Sequence, residues 1–139
     1  MPFHIRDIDH LVLRVVDLEA MLGFYCGVLG CTVERRQEAI GLVQLRAGRS
    51  LIDLVPIDGV LGRRGGGPPA PGGRNMDHFC LRIEPWDEAA ILAHLGRHGV
   101  APGETGSRFG ADGEGPSIYI PDPEGNTVEL KGPPRGPAE

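Results

Sequence analysis

Ile8-Asp9-His10-Leu11-Val12-Leu13-Arg14-Val15 and Met76-Asp77-His78-Phe79-Cys80-Leu81-Arg82-Ile83 are the same sentence written twice. Apolar, Asp, His, two apolar residues, Leu, Arg and apolar recur without a gap, at a constant offset of 68 residues from position 10 to position 78. Self-similarity of this kind constrains architecture more strongly than local propensity does. The residues after each copy agree as well. Asp17 can cap a helix whose apolar residues Leu18, Met21, Leu22, Tyr25 and Leu29 fall at helical spacing and which stops at Gly30. After the second copy, Trp86, Ala89, Ala90, Leu92, Ala93 and Leu95 form a similar stripe, with Asp87 and Glu88 in the first turn and Gly99 as the stop. Strand-like segments come next, at 32–36, 41–46 and 50–55 in the first half and at 116–120 and 126–131 in the second.

Each half therefore reads as a βαβββ module, an α+β design, with the first module at 5–56 and the second at 76–131. Between them, 57–75 carries Gly65-Gly66-Gly67-Pro68-Pro69 and Pro71-Gly72-Gly73 and reads as a mobile linker. Arg63, Arg64 and Arg74 in that linker read as solvated charge rather than as anion clamps. The tail, 132–139, is expected to be disordered.

The length of 139 residues suits a single domain with one core. A net charge of -5 gives no attraction to phosphate backbones or anionic lipid, so a small molecule is the expected partner rather than nucleic acid or a membrane. The start, MPFHIRDIDH, lacks a basic and apolar leader pattern, and no run of ~18 apolar residues occurs, which points to the cytoplasm. Cys26, Cys31 and Cys80 are odd in number and lack CxxC spacing, so they read as buried thiols.

Strand alternation puts His10 on the face opposite Leu11, Leu13 and Val15, and His78 on the face opposite Phe79, Leu81 and Ile83. Both imidazoles then point away from the helix-covered side. The last strand of each half offers a matching acid that interrupts an apolar run, Asp53 in LIDLV and Glu129 in TVELK. A buried carboxylate needs a cation or a metal to offset its desolvation. Two histidines and one carboxylate, His10, His78 and Glu129, make a facial set suited to Fe, Mn, Ni, Co or Zn in the divalent state. His94 and His98 share the spacing of a helical zinc pair but lack the accompanying HExxH glutamate, and with His4 they read as surface residues.

IDHLVLRVVDLEAMLGFYCGVLG, MDHFCLRI and SIYIPDPEGNTVEL together resemble the vicinal oxygen chelate superfamily of glyoxalases, bleomycin-resistance proteins and extradiol dioxygenases. The resemblance spans nearly all of 5–131, and the DPEGN turn before an acid-bearing strand is its most specific part. It implies paired βαβββ modules forming an open, cup-like mixed sheet around a divalent metal, in a homodimer whose modules pair within or between chains. Carried over position by position, the metal ligands fall on His10, His78 and Glu129. The further glutamate of glyoxalase I, both ligand and proton-transfer base, falls on Asp53, one methylene shorter, which leaves it open as ligand, base or structural acid. Ser117 and Tyr119 resemble the Ser-x-Tyr that fosfomycin-resistance enzymes set against a phosphonate, although the cationic segment and potassium loop of those enzymes are missing. Implied, then, is a metal-dependent enzyme acting on a small oxygenated substrate that chelates the ion. Glyoxalase-like lyase or isomerase chemistry is favoured, with Asp53, Glu129 and Tyr119 as catalytic candidates. The alternatives are an Fe(II) extradiol-type dioxygenase with Tyr119 as its acid–base residue, and a metal-free bleomycin-resistance-like binding protein.

Overall fold

The computed structural model describes residues 1–2 and 4–135, and contains two compact units, Met1–Ala70 and Pro71–Glu139. In the first, β1 (His10–Val15) leads into α1 (Leu18–Leu22), then β2 (Thr32–Gln37), β3 (Leu42–Ala47) and β4 (Ser50–Pro56). In the second, β5 (Phe79–Arg82) leads into α2 (Glu88–Arg97), then β6 (Thr105–Gly110), β7 (Gly113–Pro121) and β8 (Thr127–Lys131). The sheets have matching orders, β1-β4-β3-β2 and β5-β8-β7-β6. In each, the first strand runs parallel to the last and the remaining pairs are antiparallel. Both units are thus βαβββ, and the α+β reading of the repeat holds.

The aspartates expected at the helix starts act as caps. Asp17 accepts from the Ala20 amide at 3.0 Å and Asp87 from the Ala90 amide at 3.1 Å, satisfying amides that the first turn leaves open. After α1 the chain widens into a π-helical stretch, Gly23–Val28, in which the Leu29 amide reaches the Phe24 carbonyl at 3.0 Å. Widening keeps Phe24 and Tyr25 both buried, their rings edge to face at 5.0 Å.

Alternation sorts the strands as the sequence suggests. Leu13 and Val15 of β1, Leu45 of β3, and Ile52 and Leu54 of β4 are buried, while Val12 on the opposite face is open. In the second unit Ile118 and Ile120, Val128 and Leu130, and Leu95 of α2 are buried. Strand β6, TGSRFG, has no apolar alternation to mark it in the sequence; it forms because β7 offers it a continuous antiparallel ladder from Thr105 opposite Ile118 to Gly110 opposite Gly113.

Segment 57–75, read as a linker, has local structure. Arg14 of β1 donates to the Gly62 carbonyl at 3.2 and 3.0 Å, to the Gly67 carbonyl at 3.1 Å and to the Gly66 carbonyl. A Cβ on Gly65 would run into the Arg14 guanidinium, so the glycine run is what admits that side chain. Arg74 donates to Asn126 Oδ1 at 3.1 Å and to the Glu124 carbonyl at 2.9 Å, which ties it to the DPEGN turn. In 132–135 the Gly132 and Arg135 amides donate to Pro116 and Glu114 at 2.9 and 2.8 Å. The rest of the expected tail, 136–139, lies outside the described residues.

The DPEGN turn delivers β8. Asp122 is buried and accepts from the Glu124 and Asn126 amides at 2.9 Å each and from Asn126 Nδ2 at 2.8 Å, and Gly125 takes the left-handed φ of 81° that closes the turn. Asp122→Ala removes those charge-assisted bonds and is expected to destabilise the protein by about 3 kcal/mol, read as a lowered urea midpoint with helix and sheet content unchanged.

Candidate functional site

Register sets the positions of the acids. In the first unit Asp53 lies directly opposite Val12, and in the second Glu129 lies directly opposite Cys80. Val12 and Cys80 each stand two residues beyond the repeated histidine, on the same face of the strand. Both units therefore bring an imidazole and a carboxylate to corresponding places.

The geometry of the two pairs differs. His78 Nε2 is 3.2 Å from Glu129 Oε1, whereas His10 Nε2 is 4.0 Å from Asp53 Oδ2, as the shorter aspartate requires. Both acids are buried, Asp53 at 3% exposure and Glu129 at 5%. The other ring nitrogen of each histidine is held by the residue before it: His10 Nδ1 to Asp9 and His78 Nδ1 to Asp77, both at 2.7 Å. That hydrogen bond raises the His10 imidazole above its ordinary pKa, burial pulling the other way and the Asp53 charge adding to the rise. Asp9 and Asp77 carry no motif of their own in the sequence. Their signal was recurrence immediately before each histidine.

Each acid has its own supports. Gln44 of β3, opposite Asp53 in register, donates to both of its oxygens at 3.3 and 3.5 Å. Ser117 of β7 is buried and donates to Glu129 Oε2 at 2.9 Å, while its oxygen accepts from Arg108 Nη1 at 2.9 Å. The Ser117 hydroxyl is thus committed to Glu129. Tyr119, opposite Glu129, sets its ring edge to face with His78 at 5.4 Å and lies under the Arg108 guanidinium at 4.1 Å. Of the three cysteines expected to be buried only Cys31 is; Cys26 is half-buried and Cys80 exposed. Partial desolvation, and then the Glu129 charge and hydrogen bond, push the Cys80 thiol up to about 11, so it stays protonated at neutral pH as a donor to Glu129. Gln44, Arg108 and Cys80 had no sequence signature; only strand pairing shows them.

Among the described residues no group of three or more His, Cys, Asp or Glu side chains gathers to hold a metal; each unit contributes one pair. The donor chemistry of the second pair fits an ion. Ligands each about 2.1 Å from a metal and near a right angle apart stand roughly 3 Å from each other, close to the 3.2 Å between His78 Nε2 and Glu129 Oε1. An imidazole whose far nitrogen bonds a carboxylate is also the usual state of a metal-ligating histidine. The 4.0 Å pair with Asp53 exceeds the separation of two ligands at a right angle on one ion. His94 and His98 sit on and just after α2, with ring centroids 4.7 Å apart, and belong to neither pair.

Two βαβββ units of matching topology, each with an imidazole facing a strand-borne acid, define a class of protein built by duplication of one module. Residues 7–130 match the Glyoxalase/Bleomycin resistance protein/Dioxygenase superfamily, and the chain belongs to it. It is 30% identical over 129 residues to virulence protein STM3117 of Salmonella typhimurium, covering 88% of this chain and 81% of that one. Among solved structures it resembles the integron cassette protein VCH_CASS1 of V. cholerae, with 27% identity, a TM-score of 0.73, and 94% and 97% of the two chains covered. It also shares its fold with a lactoylglutathione lyase from Agrobacterium tumefaciens, at 22% identity and a TM-score of 0.64 over 91% and 92% of the chains.

Ser117→Ala leaves the buried Glu129 Oε2 and the Arg108 guanidinium each short of a partner. A loss of about 1–3 kcal/mol is expected, measured by urea unfolding, with Ser117→Thr recovering part of it because the hydroxyl is retained.

Proposed function

We propose that this chain is a divalent-metal-dependent enzyme acting on a small oxygenated substrate, with glyoxalase-like lyase or isomerase chemistry. The observation that carries the reading is the recurrence, in both units, of an imidazole held by the preceding aspartate at 2.7 Å and turned toward a buried strand acid. A lone structural histidine needs no such arrangement twice. His10, His78 and Glu129 would hold the ion, whether the two pairs meet within one chain or across a homodimer. The ion would be Fe, Mn, Ni, Co or Zn; the donor types suit all of them. When bound, it supplies Lewis-acid stabilisation of negative charge developing on the substrate's adjacent oxygens.

The rest of the chemistry belongs to the chain. Asp53, too short to reach as Glu129 does, is the base: it takes a proton from the hydroxyl-bearing carbon beside the substrate carbonyl and returns it to the former carbonyl carbon, while the hydroxyl proton passes to the former carbonyl oxygen, so both protons and the electron pair stay within the isomerised substrate. Gln44, donating to both Asp53 oxygens, aims that carboxylate. Ser117 fixes Glu129, and Arg108 fixes Ser117. Tyr119, edge-on to His78, is a hydroxyl donor for a substrate oxygen. The same ring supports the runner-up, ring cleavage of a catechol-like substrate at Fe(II), in which Tyr119 would be the acid–base residue.

Metal analysis of protein purified without chelators, and after exposure to each candidate ion, tests the site. Stoichiometric metal is expected in the wild type and its loss in His10→Ala, His78→Ala and Glu129→Gln. Asp77→Asn should keep the fold and bind metal about 10–100-fold more weakly. Wild type that stays metal-free, or variants that keep full metal, would overturn the reading. For the chemistry, Asp53→Asn is expected to abolish hemithioacetal isomerisation with metal content unchanged. Oxygen uptake with catechols in its place would transfer the assignment to the dioxygenase, and ligand binding without turnover of either kind would make the chain a binding protein.

A further inference from the structure

Lys131, the last residue of β8, is only 6% exposed, which is rare for a lysine. It lies on the same face as Glu129, two residues along the strand and opposite Arg82 and Ser117 in register. Its stem rests against backbone that carries no side chains: a Cβ on Gly110 would stand 2.6 Å from Cε and 2.9 Å from Cδ, and one on Gly115 would stand 3.2 Å from Nζ. Glycines on β6 and β7 thus make the room in which a lysine lies down on the sheet.

Among the described residues no hydrogen bond or ion pair engages the Lys131 ammonium. The neighbouring acids are committed elsewhere, Glu129 to Ser117 and His78, and Asp112 to Arg82 at 2.6 Å. Among the described residues no fully buried polar side-chain atom lacks a partner, so the ammonium tip keeps contact with solvent on the cavity side, where an anion can take the place of water. Lys131 lines a cavity of about 280 Å³ that also holds His78, Cys80, Arg82, Phe109 and Glu129. That volume suits a small molecule, with the reactive pair at one end and the unpaired ammonium at the other.

We propose that Lys131 anchors an oxyanion on the substrate, a carboxylate or a phosphoryl group, and hence that the substrate is a small acid. The anchor stands two positions along the strand from Glu129, so the anionic group sits about 7 Å from the acid along the strand. Arg82, facing Lys131 across β5 and β8, adds positive potential that Asp112 partly offsets. Such an anchor deepens the metal-enzyme reading and rests on it only for what happens at the His78 end.

The test titrates the full chain, its metal content measured in every sample, with acetate and separately with inorganic phosphate, following backbone amide chemical shifts. Saturable shifts are expected at Gly110, Lys131 and Gly132, with affinity at least tenfold weaker in Lys131→Met, which keeps the stem and loses the charge. Gly110→Ala, whose added Cβ displaces the stem, should weaken binding likewise, and Glu129→Gln should keep it. Saturation by either anion supports the anchor, and the tighter one names the group. No saturation in wild type, or equal affinity in wild type, Lys131→Met and Gly110→Ala, overturns it. Wild type that takes up none of the candidate metals yet binds the anion through Lys131 would sink the metal reading and leave the anchor standing.

Discussion

A carboxylate in the middle of a buried strand cannot be left alone, and the arrangement on the acid-bearing face of each sheet follows from that constraint. Desolvation without compensation would cost several kcal/mol, so Asp53 and Glu129 must be met by donors from adjoining strands. Parallel pairing of the first and last strands places a histidine-bearing strand on one side of each acid, and antiparallel pairing places Gln44, or Ser117 and Tyr119, on the other. The acid is central because the strand that carries it is central. Had β1 and β4 paired one residue out of step, the imidazole and carboxylate would face opposite sides.

The two units solve the same problem unequally. Glu129 is close to its histidine and gripped by a hydroxyl that a guanidinium in turn holds. Asp53 stands back from His10 and, among the described residues, is steadied by the Gln44 amide at longer distances. On the proposed reading the firmly held carboxylate is the fixed ligand and the loosely held one the base. The two places are equivalent in topology, and one methylene accounts for the difference in reach.

Much of this is legible in the chain alone. The eight-residue repeat set the two-module organisation, the capping aspartates set the helices, and alternation correctly turned His10 and His78 away from the apolar rows. The matched acids followed because each broke an apolar run. What escaped was whatever depends on cross-strand pairing. Strand β6 is polar and glycine-rich and exists only as the partner of β7. Ser117 reads as a free hydroxyl in sequence, yet its partner lies a strand away in Glu129. Lys131 closes an apolar run and reads as a charged strand end; its burial depends on glycines many residues earlier. The π-helical widening after α1 is likewise a packing outcome for Phe24 and Tyr25 rather than a propensity.

The Arg14 clamp has a consequence for how the molecule can be taken apart. By bonding the carbonyls of Gly62, Gly66 and Gly67, it makes most of the joining segment a fixture of the first unit, while Arg74 fastens the segment's far end to the second. Only the few residues between Gly67 and Pro71 belong to neither attachment, and every strand pair lies wholly on one side of them. A single peptide cleavage there would sever no ladder, leaving two fragments that each keep a complete sheet. The joint is therefore the natural place to divide the chain into two modules that can be produced separately.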